Sequence, residues 1–370
     1  MAGIYIHIPF CRQACFYCNF HFATSLTHKN ELLNALLRET EIQKDFLENE
    51  TVETIYFGGG TPSILQNSDL ETQVEKIRSL YTIMEGSEIT LEANPDDITK
   101  EKLVGWKKIG INRLSIGVQS FFDDDLQWMN RAHSAKQAMD NLQLAKEHFE
   151  NITIDLIYGM PALTDEKWKQ NVEKALAFQI PHLSCYALTV EPKTPLQKMI
   201  SNKKSEDVNP EKQSSQFLML MQWMQESGYE HYEISNFSKP GFRGRHNSSY
   251  WLGKKYLGIG PSAHSFNGES RHWNISNNNN YIESIRRGIL PIEKEILSPV
   301  QQLNEYIMTS LRTMEGIDLK KISEKAKHEL ITQSKKFIER GLIKENNECL
   351  ILTKEGKLLA DGIAADLFFD

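Results

Sequence analysis

Three cysteines near the amino terminus are the residues of this chain whose types and spacing most clearly predict chemistry. Cys11, Cys15 and Cys18 form the pattern C-x3-C-x2-C, and they are three of only five cysteines in the sequence. Cysteine thiolates bind zinc ions and iron–sulfur clusters, and a complete set of protein ligands for either usually numbers four. The pattern therefore predicts a metal centre whose fourth ligand comes from elsewhere.

Two kinds of metal centre are compatible with this pattern. A structural zinc ion would take His21 or His7 as its fourth ligand, but zinc sites commonly pair two ligand knuckles and the sequence shows only one. An iron–sulfur cluster held by three cysteines would instead keep one iron open, and an open position distinguishes reactive metal sites from closed structural ones. The cluster is the favoured interpretation, and the zinc site stays an alternative.

The composition excludes several classes of function. The chain has 370 residues, of which 40% are hydrophobic, and its net charge is −7, so no overall positive field attracts nucleic acid or an anionic membrane. The sequence contains no run of about 20 apolar residues, so it predicts no membrane span. An odd number of cysteines, mostly clustered, is a poor disulfide framework and favours a reducing compartment. We therefore expect a globular protein of the cytoplasm that does not bind nucleic acid.

Six short β-rich runs, each followed by an amphipathic helical pattern, indicate the elements that must position the metal centre. The strands are predicted at residues 4–8, 54–57, 88–92, 113–118, 152–157 and 182–187. Strands that alternate with helices predict βαβ units and a parallel sheet. Six units are too few for a closed eight-stranded barrel. The sequence therefore predicts an α/β fold built on an open, partial barrel.

Polar residues and glycines stand where these strands end. Cys11 follows the first strand, Gly59 the second, and Glu92 ends the third. Gln119 follows the fourth strand, and Asp155 lies within the fifth. Turns alone would explain one such position, but barrel enzymes build their sites from the carboxyl ends of successive strands. The shared placement predicts one site at that face of the barrel.

The last 70 residues have the pattern of a separate small domain. Helices are predicted at 301–314, 318–329 and 331–340, followed by a hairpin that turns near Asn346 and Asn347, which together suggest a winged-helix-like α+β domain. Its lysines alternate with glutamates, which is typical of a solvated helix face rather than a DNA contact. We expect three parts: a barrel at 1–235, a connecting segment at 236–299 and this domain at 300–370.

Seven motifs, in order along the chain, resemble the radical S-adenosylmethionine (SAM) superfamily and, within it, the oxygen-independent coproporphyrinogen III oxidase-like group. They are YIHIPFC at 5–11, GGGTPS at 58–63, LEANP at 91–95, GVQSF at 117–121, DLIYGMP at 155–161, HLSCYALTVEP at 182–192 and HNSSYW at 246–251. The resemblance covers nearly the whole chain. It implies a [4Fe–4S] cluster on the three cysteines, with SAM itself as the ligand of the open iron.

The resemblance also implies the residues that contact the cofactors. Tyr5 and Tyr17 would lie beside the cluster and SAM, and Glu92 would accept hydrogen bonds from the SAM ribose. The other residues that it assigns to SAM are Gly59, Gly60, Thr61, Gln119, Arg131 and Asp155. Whether SAM is cleaved reductively, to methionine and a 5′-deoxyadenosyl radical, is left open.

Phe20 separates two branches of this group. The oxidases carry a further cysteine two residues after the third one, and this chain has Phe20 there. The departure disfavours oxidative decarboxylation of coproporphyrinogen III to protoporphyrinogen IX and favours the heme-chaperone branch. In that branch the histidine of HNSSYW, His246, is implicated in heme binding, and Arg243 and Arg245 are candidates to pair with heme propionates.

The resemblance therefore implies a protein that binds heme and transfers it to an acceptor, which we expect to be a respiratory or membrane-associated protein. The oxidase is the first alternative, and a zinc-stabilised interaction module is the second. The oligomeric state expected is a monomer or a dimer.

Overall fold

A computed structural model describes all residues, 1–370, of the chain. Six parallel strands form its centre, and each agrees with a predicted strand to within a few residues. They are β1 (Ala2–Ile8), β2 (Val52–Gly59), β3 (Ile83–Ala93), β4 (Arg113–Gln119), β5 (Ile152–Tyr158) and β6 (His182–Ala187).

The sheet continues on both sides of these six strands, and all the added strands except β7 lie in the segment 236–299 that the sequence indicated only as a connector. The additional strands are β7 (Glu230–Glu233), β8 (Asn236–Ser238), β9 (Tyr256–Ile259), β10 (His264–Phe266), β11 (Ser270–Asn274) and β12 (Ile292–Ile296). The spatial order is β12-β11-β10-β9-β1-β2-β3-β4-β5-β6-β8-β7. Strand β9 lies parallel to β1, and β8 lies antiparallel to β6. Because β12 and β7 do not pair with each other, the barrel is open, as predicted.

Helices cover the outer face of the sheet and complete the loops. They are α1 (Lys29–Ile42), α2 (Asn67–Leu80), α3 (Lys100–Ile109), α4 (Asp123–Trp128), α5 (Ala135–Lys146), α6 (Asp165–Ala177), α7 (Pro195–Ser201), α8 (Pro210–Glu226), α9 (Arg245–Trp251) and α10 (Asn278–Arg286). Thr164 caps α6, since its side chain accepts a hydrogen bond from the Lys167 amide. None of the helices combines the length and the apolar character needed to span a bilayer.

The alternation of side chains along each strand separates the hydrophobic core from a polar interior. In β1, Ile4, Ile6 and Ile8 are fully buried in the main core cluster, which lies between sheet and helices. The intervening residues, Tyr5 and His7, belong to the other face of the strand. The inner face of the barrel is therefore lined by polar and aromatic side chains, and this places functional groups in one enclosed space.

The C-terminal domain differs from the prediction in one element. Its parts are α11 (Pro299–Leu311), β13 (Ile317–Asp318), α12 (Glu324–Glu339), β14 (Ile343–Asn346), β15 (Cys349–Leu352), α13 (Lys354–Lys357) and α14 (Ala360–Asp366). The helices predicted at 318–329 and 331–340 are one helix, α12. Residues 317–318 pair with β15 instead, and Ser323 caps the start of α12 by accepting from the Ala326 amide. No helix-breaking residue lies between Glu329 and Ile331, so the helix runs on.

The predicted hairpin is present, and Asn347 and Glu348 form its turn with positive φ angles of 50° and 60°. A three-stranded sheet in the order β13-β15-β14 and the helices around it enclose a second, smaller hydrophobic core. These elements confirm the winged-helix-like α+β character. The domain boundaries at 235 and 299 remain a prediction.

An ion pair with a buried carboxylate joins the barrel to the C-terminal domain. Arg312, just after α11, donates from Nε and Nη2 to Glu233 Oε1 at 3.1 and 3.0 Å, and the Glu233 side chain is 1% exposed. Removing one partner of such a pair leaves an uncompensated buried charge, which is strongly destabilising. The contact fixes the C-terminal domain against the edge of the barrel.

Candidate functional site

The three cysteines lie in a loop that is anchored at several points. The Cys11 amide donates to Ala23 O at 3.0 Å, and the Ala23 amide donates to Pro9 O at 2.9 Å, so the base of the loop is closed. Farther along, the Phe16 amide donates to Met129 O at 3.1 Å. These contacts hold the loop over the carboxyl ends of the barrel strands, where the strand-end pattern predicted a site.

The cysteine loop and the strand ends enclose one cavity of about 500 Å³. Eleven of the thirteen predicted site residues line it, which confirms that these positions come together although up to 144 positions (from 11 to 155) separate them in sequence. These residues are Cys11, Cys15, Tyr17, Cys18, Gly59, Gly60, Thr61, Glu92, Gln119, Arg131 and Asp155.

Arg131 links the cysteine loop to the ends of the third and fourth strands. Its Nη1 lies 3.2 Å from Cys15 Sγ, and its Nη2 donates to Asn94 Oδ1 and to Gly117 O, both at 2.8 Å. Arg131 Nε is buried and has no hydrogen-bond partner. A guanidinium beside a thiolate stabilises the anionic form that a metal cluster requires.

Asn94 and Thr61 extend this network, and sequence reasoning had not singled out Asn94. Asn94 Nδ2 donates to Thr61 Oγ1 at 3.3 Å, and Thr61 Oγ1 donates to Cys11 Sγ at 3.5 Å. Asn94 lies in the LEANP motif directly after a predicted strand, so its position in the sequence carried a signal. The network connects Cys15 to Cys11 through one arginine, one asparagine and one threonine.

The glycines of GGGTPS are required by the protein's own packing. A Cβ atom at Gly60 would lie 2.6 Å from Phe10 O, and one at Gly59, where φ is 107°, would lie 2.6 Å from the His7 ring. Backbone approaches this short leave no room for a side chain. The motif therefore brings strand β2 against the start of the cysteine loop, and it also forms one wall of the cavity.

Glu92 and Asp155 give the cavity two carboxyl groups. Glu92 Oε1 accepts from Tyr56 Oη at 2.8 Å, and Oε2 accepts from the Gly59 amide at 3.1 Å. Burial raises the pKa of Glu92 to about 7, and the nearby Asp155 adds to this rise. Burial likewise raises the pKa of Asp155 to about 6, while Arg113 and Arg131 oppose the change. Two acids that repel each other in a confined space favour a cationic ligand between them.

Gln119 has a strained backbone at the end of β4. Its φ angle is 66°, in the left-handed region that residues other than glycine rarely adopt. The side chain lines the cavity, and it packs over Gly117, where a Cβ atom would lie 3.0 Å from Gln119 Nε2. Strain of this kind persists where the surrounding structure enforces it, often at functional sites.

Tyr5 and His246 do not line this cavity. The Tyr5 hydroxyl lies 3.0 Å from His7 Nδ1, and its ring stacks on Tyr56 at 6.1 Å. The His246 ring also stacks on Tyr56, with 5.0 Å between the two ring centroids. Since the Tyr56 hydroxyl reaches Glu92, the two tyrosines form a layer between the cavity and His246.

His246 is buried, and both of its ring nitrogens have partners. Nδ1 lies 2.8 Å from Thr54 Oγ1, and Nε2 lies 2.8 Å from Tyr250 Oη. The structure therefore places His246 in the interior of the barrel, away from the cysteines. Ligation of heme by His246 stays a prediction, and it requires Tyr250 to release Nε2.

The two arginines near His246 are engaged within the protein. Arg243 forms ion pairs with Glu230 and Glu315 at 3.0 and 2.7 Å, and Arg245 Nη2 donates to Gly86 O at 2.5 Å. Groups of the chain therefore occupy the side-chain donors of Arg243 and one of those of Arg245, which disfavours their pairing with heme propionates.

The geometry does not support the zinc alternative. No three His, Cys, Asp or Glu side chains converge as a single metal ion requires. His7 Nε2 lies 2.9 Å from His21 O, and His21 Nε2 lies 2.7 Å from Asn278 Oδ1, so neither ring is directed to the cysteines as a fourth ligand. Three cysteines spaced around one cavity, with a guanidinium at one thiol, fit a larger multi-iron cluster.

Two regions of the chain match known protein families. Residues 5–175 match the Radical SAM superfamily, and residues 297–359 match the HemN C-terminal domain. Two relatives are named heme chaperone HemW: one from Bacillus subtilis (strain 168), 34% identical, which covers 98% of each chain, and one from Synechocystis, 34% identical, which covers 94% of this chain and 88% of its own.

A solved structure shows the same fold. The coproporphyrinogen III oxidase HemN from Escherichia coli, a radical SAM enzyme, superposes with a TM-score of 0.85 over 99% of this chain and 90% of its own, at 22% identity. Both the full-length sequence similarity and the two matched domains agree with the arrangement of cysteines, glycines and acids around the cavity. The chain belongs to the HemW family of the radical SAM superfamily.

Proposed function

We propose that this protein is a heme chaperone: it binds heme and passes it to an acceptor protein, on a scaffold that holds a [4Fe–4S] cluster and SAM. The observation that carries the proposal is the similarity, along the whole chain, to relatives named heme chaperone HemW. We further propose that the acceptor is a respiratory or membrane-associated heme protein.

The residues of the cavity fit the two cofactors that the family implies. Cys11, Cys15 and Cys18 would hold the cluster, with Arg131 beside Cys15 offsetting its negative charge. Glu92 and Asp155 would face the positive charge of SAM, and the Gly59–Gly60 wall would lie against it. Such a cluster with SAM on its open iron supplies one-electron chemistry at the sulfonium, while the protein supplies position and electrostatics.

Phe20 supports the chaperone over the oxidase. Its side chain is 67% exposed and lines the mouth of the cavity, where the oxidases have a further cysteine. A phenyl ring offers neither a ligand nor a proton donor there. It does offer an apolar surface at the entrance to the cavity.

The function is tested by two assays on anaerobically reconstituted protein. We expect heme to bind saturably when binding is followed by absorption, and we expect the loaded protein to transfer heme to an apo-cytochrome. We expect no decarboxylation when coproporphyrinogen III, SAM and a reductant are supplied. Turnover of coproporphyrinogen III without saturable heme binding would show that the protein is an oxidase instead.

Replacing Glu92 by glutamine should have opposite effects on SAM binding and on the stability of the cluster-free protein. We expect Glu92→Gln to weaken SAM binding about tenfold, because a charged acceptor facing the ribose is lost. In the cluster-free protein the same change should be stabilising, by about 1–2 kcal/mol at pH 8. The folded carboxyl ionises near pH 7 and the unfolded one near 4.5, so wild type loses stability as the pH rises between these values.

Two measurements check this prediction: calorimetric SAM titration of the reconstituted protein, and urea unfolding of the cluster-free protein at pH 5 and pH 8. The stability gain should be present at pH 8 and nearly absent at pH 5. An equal effect at both values of pH would show that ionisation of Glu92 is not its cause. Glu166→Gln, at the exposed start of α6, is the matched control.

A further inference from the structure

A second cleft of about 430 Å³ lies between the barrel and the C-terminal domain. Tyr158 and Phe217 line its barrel side, and their rings are stacked nearly parallel at 6.2 Å. Leu358 and Leu359 line the opposite side. Ala187 lines both this cleft and the cofactor cavity, so the two spaces are neighbours at the end of β6. Domain interfaces with apolar walls and a few polar groups are common ligand sites.

Two cations line this cleft, and only one acid does. Arg312 is held in place by Glu233 from behind, and its Nη1 donates to Asp361 Oδ1 at 3.0 Å. The Asp361 side chain is 84% exposed, so it can leave Arg312 without any rearrangement of the core. A ligand carboxylate can therefore replace Asp361 on the guanidinium.

Lys357 is a cation without a carboxylate partner. Its Nζ donates to the neutral ring of His231, at 2.9 Å from Nδ1, and it forms no ion pair. Burial lowers the pKa of Lys357 to about 8, which leaves it mainly charged at neutral pH. The nearby charge of Glu233 opposes this change, but no carboxylate lies within ion-pair distance, and a half-buried ammonium group in that setting favours an anionic ligand.

We propose that this cleft binds the porphyrin of heme, with its propionate carboxylates on Lys357 and Arg312 and its ring against the apolar walls. The proposal rests on the proposed function, since it names the binding site of the transferred ligand. The cavity of about 500 Å³ is needed for the cluster and SAM, so a porphyrin must lie outside it, and the cleft is its immediate neighbour.

The cleft is suited to a ligand that must leave again. No His, Cys or Met lines it, and burial raises the pKa of the Tyr158 hydroxyl, which disfavours the phenolate that could ligate heme iron. Carboxylate contacts and apolar contacts hold a porphyrin without the strong bond that would slow its release. Binding of the porphyrin in this cleft does not require His246 as a ligand, whether or not His246 ligates heme in another step.

Trp251, the last residue of HNSSYW, is a positioning residue for this cleft. The Arg312 guanidinium lies over its ring, 5.1 Å from the centroid. A planar cation stacked on an indole is fixed in orientation and stabilised by cation–π attraction. Trp251 thereby connects the motif to the charge that receives the carboxylate.

The test is a titration of the reconstituted protein with hemin and with hemin dimethyl ester, which lacks the two negative charges. Wild type should bind hemin more tightly than the diester. Lys357→Met should weaken hemin binding about five- to tenfold and leave diester binding unchanged. Asp361→Asn, an exposed change that does not endanger folding, should strengthen hemin binding because it removes the competing carboxylate.

Lys354→Met is the matched control, because Lys354 is an exposed lysine of the same helix that does not line the cleft and bonds to Gln225 instead. If wild type binds hemin saturably and neither Lys357→Met nor Asp361→Asn alters the affinity, the cleft is not the heme site. The chaperone function would still stand in that case. Absence of saturable hemin binding by wild type would overturn both.

Discussion

Replacing Cys11, Cys15 and Cys18 together by alanine should abolish binding of the iron–sulfur cluster and leave the fold intact. The three thiols line the cofactor cavity, and none of them belongs to either hydrophobic core. In the metal-free protein burial raises the pKa of Cys18 to about 11 and also raises the pKa of Cys11, so removing these two thiols takes no charge out of the interior.

Iron and sulfide analysis after anaerobic reconstitution checks this prediction, together with circular dichroism of the metal-free protein. We expect four irons per chain in wild type and none above background in the variant, with equal helical content. Cys349→Ala is the control, because Cys349 lies on β15 in the other domain and should leave the iron content unchanged. Stoichiometric zinc without sulfide in wild type would argue against a cluster.

Replacing His246 by alanine should lower the free energy of unfolding by about 2–4 kcal/mol. The side chain is 1% exposed, so alanine leaves a cavity, and Thr54 and Tyr250 lose their hydrogen-bond partner. Urea unfolding at pH 7.5 measures the effect. His328→Ala, at an exposed position of α12, is the control and should change stability by less than about 0.5 kcal/mol.

The effect of His246→Ala should become smaller as the pH falls. Burial lowers the pKa of His246 to about 3, so the folded protein keeps the ring neutral. The unfolded chain takes up a proton on this residue below about pH 6.5, which destabilises wild type there but not the variant. By pH 5 the difference in unfolding free energy between wild type and His246→Ala should shrink by about 2 kcal/mol. A difference that does not depend on pH would contradict the buried, neutral state of the ring.

The same substitution tests whether His246 ligates heme. If it does, Tyr250→Phe should strengthen heme binding, because the Tyr250 hydroxyl no longer occupies Nε2, and His246→Ala should alter the heme spectrum. If both variants bind heme as wild type does, the role of His246 is to fill the interior of the barrel and fix Tyr250 and Thr54.

Features set by neighbouring residues were accessible from the sequence. The cysteine spacing predicted a metal centre, and the alternating strands and helices predicted an open barrel. Polar residues at successive strand ends predicted one shared site, and eleven of the thirteen predicted residues do line one cavity. Each of these follows from local conformation, because the carboxyl ends of parallel strands must lie at the same face.

Features set by contacts between distant residues required the tertiary structure. Arg131 reaches Cys15 across 116 positions, and His246 reaches Thr54 across 192, so no local pattern indicates either contact. The motif HNSSYW suggested a heme ligand, and only the structure shows that the packing of α9 encloses its histidine. The pairing of Lys357 with His231, and the cleft beside it, exists only because the C-terminal domain folds back against the barrel. Sequence thus determined which groups are present and which strand carries each, and long-range packing decided which of them meet.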